Sequence, residues 1–275
     1  MVGSGTLLPD AERGSSSCHI QAGAVSLLID AGAGTLHGLA RAGLEWRSID
    51  IIAISHYHPD HVSDLAALLA AFKYDRGDRP LTLLGPVGFA AFLERLAALY
   101  GSWILGPSRP LTVVELPPGD RWLAHDSVTS STEREGAPPP ARAIAVTAQS
   151  TPHTDESIAF RIETPLGAVG YTADTGPSEA LHGFLRGVRV LVTECARTDP
   201  PAVEGHLSPA SVTRLIAEAA PELTVVSHVY PPARPEELVD EIAAGVDGRV
   251  VAARDGARIV VATHGVVVDP PLKRS

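Results

Sequence analysis

Short apolar runs alternate along the chain with segments of helical periodicity, and clusters of turn residues separate them. The runs at residues 24–30 and 49–55 are almost entirely aliphatic, which is typical of strands that are covered on both faces. Further strands are predicted at residues 80–85, 141–148, 157–163, 167–172, 188–194 and 223–228. The runs at 157–163 and 167–172 flank the turn sequence TPLG, which predicts a β-hairpin.

Two segments carry apolar residues at helical spacing, so one face of each predicted helix packs on a sheet. Two more helices are predicted at residues 86–101 and 234–245, and each ends at a glycine. The residues with helical spacing are Val62, Leu65, Leu68, Leu69 and Phe72 in the first segment and Val212, Leu215, Ile216 and Ala219 in the second. Strands that alternate with amphipathic helices indicate an α/β fold.

The composition narrows the class of protein. The chain has 275 residues, of which 45% are hydrophobic and 20% are charged, and this excludes a disordered or fibrous chain. Because no low-complexity linker divides it, we expect one domain over residues 1–275, with an exposed, mobile loop at 124–142. The formal net charge of −10 predicts repulsion of a nucleic-acid backbone.

Cysteine usage and hydropathy indicate the compartment. Cys18 and Cys195 are far apart and lack the paired spacing of a disulfide framework or a thiolate zinc site. The N-terminal segment has no basic residues before an apolar stretch, unlike a signal peptide. No apolar run approaches the roughly 20 residues that cross a bilayer. We therefore expect a cytoplasmic protein that does not act at a membrane.

The most informative motif is the hexapeptide HYHPDH, which follows the apolar run at 49–55 and precedes an amphipathic helix. Side chains two apart at the end of a strand point to the same side, so His56 and His58 can face one point. Pro59 then turns the chain and brings Asp60 and His61 toward that point. Imidazole and carboxylate groups are ligands of zinc, manganese and iron. The alternative is that Asp60 only caps the helix and the histidines lie in a solvated loop.

This order of His, any residue, His, any residue, Asp and His resembles the signature of the metallo-β-lactamase-fold hydrolases. The resemblance runs from about residue 3 to residue 262 and implies three more ligands, each after a predicted strand. These are His153 in QSTPHTDE, Asp174 in YTADTG and His228 in LTVVSHVYPP. The fold that it implies is an αββα sandwich, in which two mixed β-sheets pack face to face and are flanked by helices.

The resemblance also implies two divalent metal ions, which we expect to be zinc, with manganese or iron as alternatives. The implied ligands are His56, His58 and His153 for one ion and Asp60, His61 and His228 for the other, with Asp174 between them. Two ions that share a hydroxide lower the pKa of bound water toward about 7, which supplies a nucleophile. Asp60, by the same resemblance, orients this hydroxide. The sequence therefore predicts a metal-dependent hydrolase.

Within the family, the chain is most similar to the ribonuclease Z-like phosphodiesterases. Glu194 in TECA and His206 in GHLSPA lie between Asp174 and His228, where that branch carries a glutamate and a histidine. A histidine held by a carboxylate can stabilise negative charge or protonate a leaving alkoxide, so we expect both residues to be catalytic. The alternative is that His206 only caps the helix that begins near Ser208.

One feature of that branch is missing. Its tRNA-processing members insert a long basic arm between the third histidine and the bridging aspartate, whereas a single hairpin joins His153 to Asp174 here. Together with the acidic charge, this absence favours a small phosphodiester over tRNA 3′ processing. We therefore expect a small-molecule ester substrate and no nucleic-acid partner. Its similarity to that branch also implies that the protein forms a homodimer.

Other functions stay open on the sequence alone. The same site can hydrolyse a carboxylic ester or lactone, a single iron ion can support oxidation, and the fold can serve as a metal-stabilised binding module without activity. Asp30 is expected, by the resemblance, to orient a ligand histidine. Cys195, Tyr57 and Tyr171 are expected to pack in the core.

Overall fold

The structure of the chain is a computed structural model, which describes residues 1–74, 79–106, 110–124, 144–197 and 204–269. The strands are β1 (Cys18–Ala22), β2 (Val25–Ile29), β3 (Ile51–Ala53), β4 (Leu81–Gly85), β5 (Leu111–Glu115), β6 (Arg121–Ala124), β7 (Ile144–Ser150), β8 (Ile158–Thr164), β9 (Gly167–Tyr171), β10 (Val190–Glu194), β11 (Leu223–Ser227), β12 (Val250–Ala252), β13 (Arg258–Ala262) and β14 (Gly265–Asp269). The α-helices are α1 (Thr35–Arg41), α2 (Pro59–Val62), α3 (Leu65–Tyr74), α4 (Phe89–Tyr100), α5 (Glu179–Phe184), α6 (Pro209–Ala219) and α7 (Pro235–Ala243). Short 3₁₀ helices lie at Trp46–Ser48 and Ser102–Leu105.

Two mixed sheets form the centre of the fold. The first has the order β1-β2-β3-β4-β5, in which β1 is antiparallel to β2 and the other neighbours are parallel. The second has the order β12-β11-β10-β9-β8-β7-β6, parallel from β12 to β9 and antiparallel from β9 to β6. Strands β13 and β14 pair as a separate hairpin. The hairpin predicted from the TPLG turn is confirmed, with Thr164 opposite Gly167.

Side-chain alternation along the central strands explains how the layers pack. On β2, Leu27 and Ile29 belong to the core between the two sheets, whereas Leu28 belongs to the core on the outer face of the first sheet. On β10, Val192 faces inward in the same way and Leu191 faces outward. A strand that is apolar on both faces is stable only when both are covered, and burial of each such side chain contributes about 1.5–3 kcal/mol.

Helices cover both outer faces. The apolar stripes of α1, α3 and α4 pack on the first sheet, and those of α5, α6 and α7 pack on the second. The predicted αββα sandwich, with two mixed sheets flanked by helices, is therefore confirmed.

The helix predicted after the HYHPDH motif differs from the observed one, because it is divided into α2 and α3. The break lies at Asp64, whose amide donates to the carbonyl of Ala31 at 2.8 Å instead of continuing α2. Its carboxylate accepts from the amide of Leu36, at the start of α1, at 3.0 Å. The two hydrogen bonds of Asp64 fix the HYHPDH motif against the loop after β2 and the start of α1.

Several elements were not predicted, and they lie at the sheet edges or are short. Strand β5, for example, lies at the edge of the first sheet, and three of its five residues are exposed. Most of the loop predicted at 124–142 lies outside the described residues.

Among the residues that the structure describes, no helix is long and apolar enough to cross a membrane. The single-domain organisation and the cytoplasmic compartment stay predictions.

Candidate metal centre and active site

The carboxyl ends of the parallel strands meet at one edge of the sandwich, and the predicted site residues lie there. His56 follows β3, Asp174 follows β9, Glu194 ends β10 and His228 follows β11. Parallel strands place their carboxyl ends side by side, so residues distant in sequence become neighbours. All seven predicted ligand residues fall into two spatial groups, in each of which the donor atoms lie within 4.8 Å of one another. The groups are His56, His58, His153 and Asp174, and Asp60, His61 and His228.

The Asp174 carboxylate lies between the two groups. Its Oδ2 is 3.8 Å from His56 Nε2 and 3.7 Å from His153 Nε2. Its Oδ1 is 3.3 Å from His61 Nε2 and 3.4 Å from His228 Nε2. Burial alone would raise the pKa of Asp174, but His228 and His61 hold this pKa well below its usual range. Each oxygen thus faces one group, as a carboxylate shared by two cations would.

The remaining donors complete each group. His153 Nε2 lies 3.0 Å from His58 Nδ1, and His228 Nε2 lies 3.1 Å from Asp60 Oδ2. Asp60 is buried, whereas His58 is exposed at the mouth of the site. The site therefore opens to solvent on the side of His58.

Two buried nitrogen atoms test whether these residues fit a metal. His56 Nε2 and His61 Nε2 have no hydrogen-bond partner among the described residues. His61 Nδ1 donates to Asp30 Oδ2 at 2.8 Å, and His56 Nδ1 donates to Ser55 Oγ at 3.0 Å. Since a carboxylate only accepts, the proton of His61 is on Nδ1, and the lone pair on Nε2 is directed toward Asp174. That tautomer is the one a metal ligand requires, so the residues fit divalent cations.

Asp30 orients one histidine of each ligand group, His61 directly and His56 through Ser55. Its Oδ2 also accepts from Ser55 Oγ at 2.9 Å and from the Tyr171 hydroxyl at 2.8 Å, and its Oδ1 accepts from the Ser55 amide. Asp30, Ala173 and His228 have left-handed backbones, with φ of 57°, 52° and 55°. Such non-glycine residues cost about 1–3 kcal/mol each, and they persist where the surrounding structure fixes them.

His206 and Glu194 form the pair that the sequence predicts. His206 Nδ1 donates to Glu194 Oε1 at 3.0 Å, and Glu194 also accepts from the amide of Thr175 at 2.6 Å. Burial raises the pKa of the Glu194 carboxyl. Burial alone would lower the pKa of His206, but its hydrogen bond to Glu194 raises it above the ordinary value.

The position of His206 permits two roles. Its ring centroid lies 4.9 Å from that of His153 and 5.8 Å from that of His228, so it borders both groups. It also forms a third set of closely spaced donors with Asp174 and His228. His206 can therefore act on substrate or serve as a further ligand, and the two roles differ in whether its removal lowers metal content.

The backbone beside His206 also orients His153. The carbonyl of Gly205 accepts from His153 Nδ1 at 3.0 Å, which leaves Nε2 directed toward Asp174. Gly205 has a φ of 75°, and a Cβ there would lie 3.2 Å from His153 Nδ1. The positive φ favours glycine at this position, and a Cβ would also press on the His153 ring.

Some contributors were not found from the sequence. Ser55 donates to Asp30 and accepts from His56, so it links these two side chains. Its position directly before the HYHPDH motif is the signal in the sequence that could have indicated this role. Tyr171 was expected to be core packing, yet its hydroxyl binds Asp30. Tyr57 stacks on Phe92 at 4.5 Å, and Cys195 lies in the core under α6, as expected for packing residues.

Comparison with known proteins supports the fold and the branch. Ribonuclease Z from Mycobacterium sp. (strain KMS) is 28% identical, with 98% of both chains covered. The metallo-β-lactamase fold protein YhfI from Bacillus subtilis has a TM-score of 0.76 at 21% identity, with 98% of this chain and 97% of that chain covered. Human tRNase Z, short form, has a TM-score of 0.71 at 19% identity, with 95% and 98% covered. The predicted similarity to the ribonuclease Z-like branch is confirmed, and so is the prediction of a metal-dependent hydrolase.

The predicted partners are wrong. A small-molecule ester substrate and the absence of nucleic acid were expected, but relatives matched over their full length are ribonucleases Z and the human structural neighbour is a tRNase Z. That expectation rests on the net charge and on the missing arm. Net charge sums over the whole surface, whereas contact with a phosphate backbone depends on cations close to the site. The predicted homodimer is untested.

The family described as Beta-lactamase superfamily domain matches residues 26–229, a range that includes every predicted metal ligand and both Glu194 and His206. The match extends from β2 of the first sheet to the residue after His228. With this match over most of its length, the chain belongs to the β-lactamase superfamily domain family.

Proposed function

We propose that this chain is a phosphodiesterase that hydrolyses a phosphodiester bond of RNA by attack of water at phosphorus. The observation that carries the proposal is the Asp174 carboxylate, whose two oxygens face separate groups of ligand atoms, beside an oriented pair of His206 and Glu194. The names of the full-length relatives, which are ribonucleases Z, support RNA as the substrate class.

The proposed ligands are those of the two spatial groups. His56, His58 and His153 would hold one divalent ion, Asp60, His61 and His228 would hold the other, and Asp174 would contact both. When bound, two such ions lower the pKa of water and neutralise charge on the phosphoryl oxygens. Zinc is the proposed metal because imidazole and carboxylate groups are its common ligands in proteins. Manganese and iron accept the same donors and are the alternatives.

The side chains around the ions have separate roles in this proposal. Asp60, held at 3.1 Å from His228, accepts a hydrogen bond from the attacking water and orients it toward phosphorus. Glu194 accepts a hydrogen bond from His206 Nδ1, which leaves Nε2 as the ring nitrogen that faces substrate. When His206 is protonated, Nε2 donates its proton to the departing ribose oxygen, which otherwise leaves as a strongly basic alkoxide.

The test of the reaction class compares two activated esters. Protein loaded with zinc or manganese is assayed on bis(p-nitrophenyl) phosphate and on p-nitrophenyl acetate, with and without a chelator. We expect a clear preference for the phosphodiester and loss of that activity on chelation. Preference for the acetate would move the reaction to acyl carbon and contradict the proposal.

Controls separate the metal centre from general damage to the fold. Asp174→Asn removes the charge that both groups share and should abolish activity. Asp247→Asn changes an exposed carboxylate after α7 and should leave activity unchanged. Elemental analysis of the purified protein identifies the bound metal, and cleavage of a short RNA tests the substrate class. We also propose that the protein acts in the cytoplasm, because Cys18 and Cys195 are both buried thiols that form no disulfide.

A further inference from the structure

Arg197 and Tyr230 lie on the rim of the metal centre and have no part in the roles described so far. Tyr230 comes two residues after His228, and its ring lies edge-on to His228 at 5.3 Å and to His206 at 6.0 Å. The amide of Tyr230 donates to the carbonyl of Ala196 at 2.9 Å, which ties the loop after β11 to the loop after β10. Arg197, the next residue after Ala196, is thereby held beside the Tyr230 ring.

The guanidinium of Arg197 is available to a ligand. Its central carbon lies 5.9 Å from the centroid of the Tyr230 ring, and the side chain is exposed. Among the described residues, no carboxylate lies within ion-pair distance of it. A cation over an aromatic face is attracted to it, so Tyr230 limits the directions that Arg197 can take. An arginine placed in this way can bind a phosphate through two parallel hydrogen bonds.

The position of Arg197 relative to the two ligand groups indicates which phosphate of a substrate it can bind. Arg197 contacts the Tyr230 ring, and that ring contacts His206 and His228, so one aromatic side chain connects the guanidinium to the ligand groups. The phosphate that is cleaved belongs between the two ligand groups. The next phosphate along a polynucleotide is the one that can reach the rim.

We propose that Arg197, positioned by Tyr230, binds the phosphate adjacent to the one that is cleaved, so that the enzyme favours oligonucleotides over isolated diesters. This inference rests on the proposed function and specifies its substrate. It also explains how a chain with a net charge of −10 can bind a polyanion, because the contact is local.

The experiment varies the number of phosphates. The metal-loaded enzyme is assayed on a dinucleoside monophosphate, which has one phosphodiester, and on the two matched substrates that carry one added phosphate on either side. For Arg197→Ala we expect KM to rise about tenfold on at least one of the longer substrates, with kcat preserved. KM on the dinucleoside monophosphate should not change. The slope of log KM against log salt should decrease by about 0.7 for that longer substrate, the contribution of one phosphate contact in a single strand.

Matched variants distinguish a phosphate contact from loss of surface charge. Arg47→Ala removes an arginine that also lies over an aromatic ring, that of Trp46 at 4.4 Å, before the start of β3 and away from the site. It should leave both KM and the salt slope as in the unmodified enzyme. Tyr230→Phe keeps the ring and should retain the preference, whereas Tyr230→Leu should lose it in part.

Two failures can be told apart. If the unmodified enzyme does not hydrolyse bis(p-nitrophenyl) phosphate in a metal-dependent manner, the proposed function fails. If it does, and Arg197→Ala changes neither KM nor the salt slope on either longer substrate, the role of Arg197 alone is overturned. An equal rise in KM on the dinucleoside monophosphate would also overturn it, since that substrate has no second phosphate.

Discussion

The hydroxyl of Tyr171 donates a 2.8 Å hydrogen bond to Oδ2 of Asp30 and joins the two sheets directly behind the metal centre. Tyr171 ends β9 of the second sheet, and Asp30 follows β2 of the first. The same oxygen accepts from His61 and from Ser55, which in turn accepts from His56. The orientation of one histidine in each ligand group therefore depends on a contact between the sheets.

Replacement of Tyr171 by Phe should weaken metal binding without loss of the fold. Removal of the hydroxyl frees one position on Asp30, so that His61 and His56 are held less firmly. Loss of a group that bonds directly to a ligand typically lowers metal affinity about 10- to 100-fold, and because Tyr171 acts through Asp30 we expect a decrease near the lower end of that range. Competition with a coloured chelator measures the affinity.

Tyr57→Phe is the matched control for Tyr171→Phe. The hydroxyl of Tyr57 is buried without a hydrogen-bond partner among the described residues, so its removal should leave metal affinity unchanged. Equal affinities for the two variants would show that the bond from Tyr171 to Asp30 does not orient the ligands.

Replacement of His206 by Ala should lower turnover and leave metal content intact. On an RNA dinucleotide, where a basic ribose oxygen departs, we expect kcat to fall by about 10² or more. On bis(p-nitrophenyl) phosphate the effect should be much smaller, because nitrophenolate leaves without a proton. Loss of bound metal in this variant would instead assign His206 to the third donor set with Asp174 and His228.

Asp255 anchors the N-terminal loop that borders the site. Its carboxylate accepts from the amide and hydroxyl of Ser4, both at 2.8 Å, and from the amide of Gly14 at 2.7 Å. The carbonyl of Ser4 in turn accepts from the amide of His228 at 3.2 Å. Asp255→Ala leaves these donors without a partner and should lower the free energy of unfolding by about 1–3 kcal/mol.

Denaturant unfolding measures this loss, and Asp247→Ala provides the comparison. Asp247 is exposed, so its truncation should change the free energy of unfolding by less than about 0.5 kcal/mol. Asp255→Ala should also bind metal less tightly, because Ser4 no longer holds His228. An Asp255→Ala protein as stable as the Asp247→Ala protein would contradict the anchoring role.

His19 should make the fold less stable in acid. Burial lowers the pKa of His19 from 6.5 to about 4 in the folded chain. As pH falls below 6.5 the unfolded chain takes up a proton that the folded chain does not. Stability is therefore lost progressively until the pH reaches about 4 and is constant with respect to His19 below that value. His19→Gln removes this loss.

The measurement is the free energy of unfolding against pH, with chelator present so that metal release does not contribute. The unmodified protein should lose more stability than His19→Gln between pH 6.5 and about 4. His264→Gln, at an exposed position, should follow the unmodified protein. Parallel curves for all three proteins would mean that His19 titrates alike in the folded and unfolded chains.

The parts of the site that could be predicted are those with a local signal. His56, His58, Asp60 and His61 lie within six residues, and the other ligands each follow an apolar strand. The contact between Tyr171 and Asp30 joins residues 141 apart in sequence and depends on how the two sheets pack. No local pattern encodes such a contact.

The error about partners has a different origin. Net charge, which was read from composition, says nothing about where a single cation lies. The position of Arg197 over Tyr230 depends on a hydrogen bond between two loops, each of which follows a different strand. Strand β5 was missed although its sequence LTVVE begins with the same four residues as LTVVS of β11, which was predicted, and the two strands differ in burial rather than in local pattern.

The measurement that most directly tests the central claim is hydrolysis of an RNA dinucleotide in water enriched in heavy oxygen, followed by mass analysis of the products. If water attacks phosphorus, one heavy oxygen atom appears in the phosphate of a linear monophosphate product. Activity should disappear in Asp174→Asn and on addition of chelator. A cyclic phosphate without heavy oxygen, or heavy oxygen in the alcohol product, would show that water does not attack phosphorus and would contradict the account.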